Sequence, residues 1–531
     1  MRKSIVLFAW ICVSLTGFGQ QPADSVSTFT SKTELVLIPT VVVDGSGKHV
    51  PGLTKENFSI FQDQKEQKIA FFEEVKPQPA RRYIERVENV YSNQLGGDQT
   101  AARLTIFAFD MINTPFMGQA EARRVLLDTL AKTVDDGEPK AVVVFTRSGL
   151  KVLHDFTNDP AILAREVRRF RSRTPDGSDI AALPPNDPTY ERLSDFMQVT
   201  NTEYNEFQQR AVIEQTDDCM RQIATAFSGV PGRKALLWAT GGFPMLMLSQ
   251  MSGGLKTGMQ FVPRYEQTWR MLNAANVAVY PIDVREVTFP GFVDASVGNM
   301  SRNAQAWQAA VQEQGTTTMV NYAMETGGKP CVGRNDFSSC FEEALQESKS
   351  YYLIGYYLDK KVKPGWHKLH VNTTVKNAKV RARTGVEVPD PARKVEIKNE
   401  YEWALLSPLL YTGVPMSVRW IGSRAMGEGK RSVEFELWVN PGGIQIDETD
   451  GNHMKIELTA IGKNEKGAAS GLRGKVLEAR FKEESAAKIR REGFAHRNVL
   501  EVGPGEYNVR FVVRDHLSGR IGSVTAQLKA E

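Results

Sequence analysis

The chain has 531 residues with 66 basic and 62 acidic side chains, a formal net charge of +4. That length suits about two to four domains, and the near-balance of charge excludes the basic footprint of a nucleic-acid binder. Hydrophobic residues make up 41%, the content of an ordinary globular protein rather than of a disordered chain.

The first residues, MRKSIVLFAWICVSLTGFGQQPADS, read as a secretory signal peptide over 1–19. Arg2 and Lys3 form the charged start, Ile5 to Leu15 is too short to span a bilayer, and Gly17 and Gly19 precede a cut at Gln20. Trp10 and Ile11 before Cys12 do not suit a lipoprotein cleavage box. No later segment reaches ~18 consecutive apolar residues, so an exported chain with no transmembrane span is expected: periplasmic, outer-surface or secreted. Export permits disulfides. Of the remaining Cys219, Cys331 and Cys340, the last two could close a short loop or stay as two reduced thiols.

Residues 33–75 predict a small β module, with two apolar runs ending at the turn Asp44-Gly45-Ser46-Gly47 and further strands around Phe58, Ile60, Ile69 and Phe71. Residues 76–101 are polar, with two prolines and Gly96-Gly97, and read as a linker. From 102 to 385 strands alternate with helices. Strands are expected at 104–109, 141–145, 235–239, 277–282 and 328–332, with an edge strand near 150–153. Helices are expected at 119–131, 159–171, 204–228, 262–275, 303–326 and 337–349. This alternation predicts an α/β fold, a doubly wound, mostly parallel sheet covered on both faces. The arginines from Arg165 to Arg173 read as a solvated helix face. Residues 172–203 read as a long Pro-rich loop, a type more often functional or mobile than accidental.

The stretch SYYLIGYYL to VRARTGV predicts extended strands added to the sheet's edge, followed by a connector at 386–400. From 401 to 531 the pattern becomes all-β. Val433, Phe435, Leu437 and Val439 alternate with polar neighbours, as do Tyr507, Val509, Phe511 and Val513, which predicts a C-terminal Ig-like β-sandwich.

Asp110 ends an apolar strand and is followed by Asn113 and Thr114, placing a carboxylate and a hydroxyl where open α/β sheets bind ligands. Asp283 ends the strand NVAVYPID at the same edge. Other motifs dissolve on inspection. His367 and His370 stand three apart on a strand and point to opposite faces. Ser228 to Lys234 has the wrong glycine spacing for a phosphate loop, and Asp447 to Gly451 reads as a hairpin turn rather than a calcium loop. Neither HExxH nor GxSxG occurs.

Taken in order, VVVDGSGKHVPGLTKENFSIFQDQKEQKIAFF, FAFDMINT, GVPGRKALLWATGGFP, ANVAVYPIDVR, METGG and SYYLIGYYL…GWHKLHV…VRARTG resemble the von Willebrand factor A-related proteins abundant in Acidobacteria, over about residues 33–385. The resemblance implies a von Willebrand A-like (Rossmann-type) core. It also implies a metal-ion-dependent adhesion site, whose first element is Asp-x-Ser-x-Ser. Here that element reads Asp110-Met111-Ile112-Asn113-Thr114, so Asp110 matches, Thr114 can replace the final Ser, Asn113 stands one place out of register and Ile112 removes the middle hydroxyl. Thr240 or Gly241 stands where a later Asp would fall, and Thr174 or Ser178 is where the mid-domain Thr could lie. A hard cation such as Mg²⁺ wants near-octahedral oxygen coordination. Two readings therefore stand: a degenerate divalent-cation site on Asp110, Asn113 and Thr114, or an Asp110 that caps the following loop.

The expected role is non-enzymatic: binding a protein or cell-surface polymer through the sheet-top loops at Asp110–Phe116, 172–203, Gly241–Pro244 and Asp283–Pro290. Phe116, Met117, Thr240 and Asp283 are the candidate contacts, the first two being apolar residues of the kind enriched in interface cores. The alternative is a structural or assembly component of the cell envelope or a secretion system.

Overall fold

A computed structural model describes residues 35–76, 89–94, 104–114, 116–132, 138–170, 210–230, 232–242, 247–251, 254–258, 261–285, 302–359, 361–388, 398–407, 409–427, 429–464 and 469–530. The expected signal peptide and the 172–203 loop lie outside these residues.

The chain opens with β1 (Leu35–Val43), β2 (Phe58–Gln62), β3 (Lys65–Gln67) and β4 (Ile69–Val75), followed by the short β5 (Val90–Ser92). The α/β body then runs β6 (Leu104–Asp110), α1 (Phe116–Lys132), β7 (Lys140–Thr146), β8 (Gly149–Thr157) and α2 (Pro160–Arg169). After them come α3 (210–226), β9 (Lys234–Thr240), the hairpin β10 (Met247–Met251) and β11 (Gly254–Gly258), α4 (Val262–Ala274), β12 (Val277–Asp283), α5 (Arg302–Thr326) and α6 (Phe337–Lys349).

The central sheet has the order β12-β9-β6-β7-β8. β12, β9, β6 and β7 pair in parallel, and β8 folds back antiparallel on β7. Every residue of β6, β9 and β12 is buried, as parallel strands covered on both faces must be. Alternation divides them. Leu104, Ile106, Leu236, Trp238, Val277 and Val279 face a core shared with α3, α4 and α5. Phe107, Phe109, Leu237, Ala239, Tyr280 and Ile282 face one shared with α1, α2 and α6. The fold is mixed α/β. The strand expected at 328–332 is reduced to a bridge between Ile282 and Cys331. Pro330 offers no N–H, and the Cys331–Cys340 bond draws the chain away to α6.

The strands expected to extend this sheet's edge do something else. β13 (Tyr351–Tyr357), β14 (Gly365–Thr373), β15 (Lys379–Arg381) and β16 (Gly385–Val388) complete the amino-terminal β module. One sheet runs β15-β1-β13-β4 and the other β16-β14-β2-β3. Their facing apolar residues, among them Val36, Ile38, Ile60, Tyr352, Ile354, Leu369 and Val371, form one core. The α/β body is thus inserted between the two halves of a sandwich. β1 and β13 pair with each other, and their shared inward face of Val36, Ile38, Tyr352 and Ile354 is covered by Ile60, Leu369 and Val371 of the second sheet.

The polar stretch 76–101, read as linker, contributes β5 to the C-terminal sandwich, and the 386–400 connector holds the end of β16 and the start of α7 (Lys398–Leu406). Beyond lie β17 (Met416–Ala425), β18 (Arg431–Val439), β19 (His453–Asn464), β20 (Ala469–Arg480), α8 (Glu483–Glu492), β21 (Phe494–Val502), β22 (Gly505–Asp515) and β23 (Ile521–Ala530). They form two antiparallel sheets, β21-β18-β17-β5 and β20-β19-β22-β23, around a core containing Phe435, Leu437, Val509 and Phe511.

This sandwich is fastened to α3. Thr412 donates its N–H and its hydroxyl to the Ala226 carbonyl, both at 2.8 Å, and Gly229 N–H donates to Thr412 Oγ1 at 3.2 Å. A Cβ on Gly229 would lie 1.9 Å from the Thr412 carbonyl oxygen. That is backbone on backbone, so Gly229→Ala is expected to cost about 3 kcal/mol; wild-type stability in urea unfolding would contradict this docking.

Candidate functional site

Asp110, Thr240 and Asp283 end three neighbouring parallel strands, Thr240 lying in register with Asp283. Asp110 is buried, 2% exposed. Its Oδ1 accepts from the backbone N–H groups of Ile112 and Asn113, both at 3.0 Å. Its Oδ2 accepts from Asn113 Nδ2 and Thr240 Oγ1, both at 2.7 Å. The first pair is an Asx turn, the local bonding that favours Asp at a strand end. Burial pushes the Asp110 carboxyl above the usual carboxylate range, against the opposing pull of these hydrogen bonds.

The knot extends outward. Asn113 Nδ2 also donates to Thr216 Oγ1 on α3 at 2.9 Å. Gly241 N–H donates to Thr114 Oγ1 at 3.1 Å, and Gly242 N–H to Thr240 Oγ1 at 2.9 Å. Gly242 has φ +73°, and a Cβ there would meet the Gly315 backbone at 2.6 Å, so only glycine lets α5 lie this close to the strand-end loop. The residue after Thr216, Asp217, is fully buried; it accepts from Thr268 Oγ1 at 2.6 Å and Tyr322 OH at 3.2 Å and lies 2.7 Å from Arg264 Nε. Burial lifts its carboxyl to about 6. α3 is therefore pinned both to the knot and to α4.

Asp283 turns from Asp110 to Arg285, whose Nε and Nη2 grip its two oxygens at 2.8 and 2.6 Å. Nη2 also donates to Thr316 Oγ1 on α5 at 3.0 Å. The structure thus gathers Asp110, Asn113, Thr114 and Thr240 and sets Asp283 beside them in a separate ion pair. Phe116 and Met117 open α1, with side chains outside the described residues, as are Thr174, Ser178 and residues 243–246 and 286–290. Thr216 and Arg285 were not singled out from the sequence. The Arg two residues after a strand-end Asp was the available signal for the second, whereas nothing local marks Thr216.

These residues depart from what a hard cation takes. Four N–H and O–H donors surround the Asp110 carboxylate, Asn113 presents its amide nitrogen rather than its carbonyl, and a guanidinium grips Asp283. Among the described residues no three His, Cys, Asp or Glu side chains converge as a metal-holding group. Cys331 and Cys340 are bonded, with Cα atoms 6.0 Å apart. His367 holds Asp63 at 2.6 Å, while His370 points from the opposite face of β14. No described helix is long and apolar enough to cross a membrane.

No protein-family model and no curated protein matches the chain. Among solved structures, the pilus adhesin SpaC from Lactobacillus rhamnosus GG is 8% identical, with a TM-score of 0.27, covering 86% of this chain and 57% of that one. Its open conformation gives 0.28 at 8% identity, with 89% and 72% covered. A Bacteroides uniformis beta-glucuronidase is 9% identical at TM-score 0.17, covering 35% of this chain and 19% of that one. Similarity at these scores carries no argument about fold or role.

Proposed function

We propose that this is an exported, non-enzymatic binding protein of adhesion type, with a von Willebrand A-like core that engages a protein or surface polymer through the loops above the parallel sheet. The observation that carries the reading is the internally bonded floor formed by Asp110, Asn113 and Thr240 beside the Asp283–Arg285 pair. A floor whose polar atoms hold one another is a scaffold for loops rather than a reactive centre. Catalysis would need a nucleophile within reach of a base, and the described histidines that hydrogen-bond do so to carboxylates or a carbonyl. The binding is metal-independent in this reading. The envelope-assembly alternative would draw on an apolar patch on the C-terminal sandwich. There the exposed Trp438 and Val499 are separated by the Glu436–Arg497 ion pair, which favours the sheet-top reading.

The test is binding of labelled mature chain, 20–531, to the envelope fraction of the native cell. Saturable, EDTA-resistant binding is expected, weakened about tenfold by Phe116→Ser with Met117→Ser at unchanged thermal stability. Binding indifferent to the double change, or abolished by EDTA, would sink the proposal.

A further inference from the structure

We propose that the cleft between the amino-terminal sandwich and α4 is a binding site for a neutral oligosaccharide. The cleft is open to solvent and spans about 930 Å³, the size of a small-molecule site, and lies at a junction of structural units where such sites concentrate. Asp110 does not line it, so the inference stands apart from the sheet-top reading.

One wall is the outer face of β14. Leu369 and Val371 point into the sandwich core, so Trp366, Lys368, His370 and Asn372 project from the opposite face. Phe61 on β2 pairs directly with His370 and shares that face. The other wall is one stripe of α4, with Glu266, Trp269 and Arg270 at i, i+3 and i+4. The aromatic surfaces are fixed in place. Arg270 sits 5.4 Å above the Trp366 ring and is flanked by Glu266 at 3.7 Å and Glu387 at 3.9 Å. The Trp366 indole lies on Gly385, where a Cβ would come within 2.1 Å of it. Trp269 packs edge-on against Tyr322 at 5.8 Å.

The chemistry of the lining selects the ligand class. Asp63, Glu266 and Glu325 are set against Arg270 and Lys368, a near-balance unlike the basic lining a phosphate-rich strand requires. So many polar groups do not suit an acyl chain. The side chains of Gln64, His370 and Asn372 line the cleft and make no hydrogen bond to another described residue. An amide offers both donors and acceptors, and neutral imidazole offers one of each. With the Trp366 ring held between Arg270 and Gly385, the part-exposed Phe61 and Trp269 supply the apolar surface beside these groups. That combination matches a pyranose, whose C–H face is apolar and whose hydroxyls donate and accept while carrying no charge.

The experiment is calorimetric titration of the mature chain with maltohexaose, cellohexaose, xylohexaose and chitohexaose, with tryptophan fluorescence as a second readout. At least one should saturate with a Kd on the order of 1 mM or tighter. His370→Ala with Asn372→Ala should weaken that binding about tenfold without moving the melting temperature, because neither side chain holds the fold together. Trp366→Phe should weaken it while keeping a ring over Gly385. Phe116→Ser with Met117→Ser should leave it unchanged. Failure of all four sugars to bind folded protein, indifference to the His370/Asn372 change, or preferential binding of polyphosphate or single-stranded DNA would overturn the assignment.

Discussion

Asp110→Ala is expected to cost about 4 kcal/mol of folding stability, and the loss should be the same in excess Mg²⁺ as in EDTA. The carboxylate is buried and accepts from two backbone N–H groups, an amide and a hydroxyl. Removing it strands four neutral donors where water cannot easily replace it, and each buried donor left unsatisfied costs about 1–3 kcal/mol. Asp110→Asn should be milder. It keeps one oxygen for the Ile112 and Asn113 N–H groups but sets an amide nitrogen against Asn113 Nδ2. The cation reading predicts otherwise: a ligand that binds only the native state stabilises it by mass action. Wild-type protein would then be raised by Mg²⁺, and Asp110→Ala would abolish that increment. Urea unfolding of both proteins with and without Mg²⁺ separates the two; a Mg²⁺-dependent rise confined to wild type would make Asp110 a ligand and refute the knot.

That the knot exists was only half legible in the sequence. A strand-end Asp announces a local turn, and the Asx bonds from Ile112 and Asn113 follow from the four residues Asp110 to Asn113. The bonds from Thr240, Thr216 and Gly241 depend on β9, α3 and β6 converging, and no local pattern encodes which hydroxyl arrives. Asn113, noted for its carbonyl oxygen, presents its nitrogen because its neighbours at that point, Asp110 Oδ2 and Thr216 Oγ1, are both oxygens. The same contrast runs through the fold. β6, β9 and β12 read clearly as buried strands because burial on both faces leaves an unbroken apolar run. β13 and β14 read just as clearly as strands, yet their partners β1 and β2 lie some 300 residues earlier. Period-two alternation reveals a face to be covered but not the strand that covers it, so assignment to the nearer sheet was the natural error. Trp366 and His370 were legible as strand residues; the cleft they line needed α4 set against them.

Lys234→Met should flatten the rise in stability that the wild-type protein shows between about pH 7 and pH 9.5. Lys234 begins β9 in register with Leu104 and Val277, fully buried. Its ammonium donates to the carbonyls of Val230 at 2.5 Å and Gly232 at 3.1 Å, and no carboxylate balances it among the described residues. Burial lowers its pKa from 10.5 to about 7, so between those values the unfolded chain holds a proton that the native chain has released. Native stability therefore increases with pH across the window, at up to about 1.4 kcal/mol per unit from this group, and levels off below pH 7, where both states are protonated. Methionine fills a similar volume without titrating, although it leaves two carbonyls without their donor, at about 1–3 kcal/mol each. At neutral pH the two effects oppose one another and the net change should be small. The decisive quantity is the slope. Stopping the window at pH 9.5 also keeps clear of the buried tyrosines, Tyr265 and Tyr322 among them, whose hydroxyls burial pushes upward and whose contribution has the opposite sign. A pH profile flatter in the variant than in wild type would show that Lys234 is buried as an uncompensated amine that holds the Val230 and Gly232 carbonyls; equal slopes would show that water reaches it.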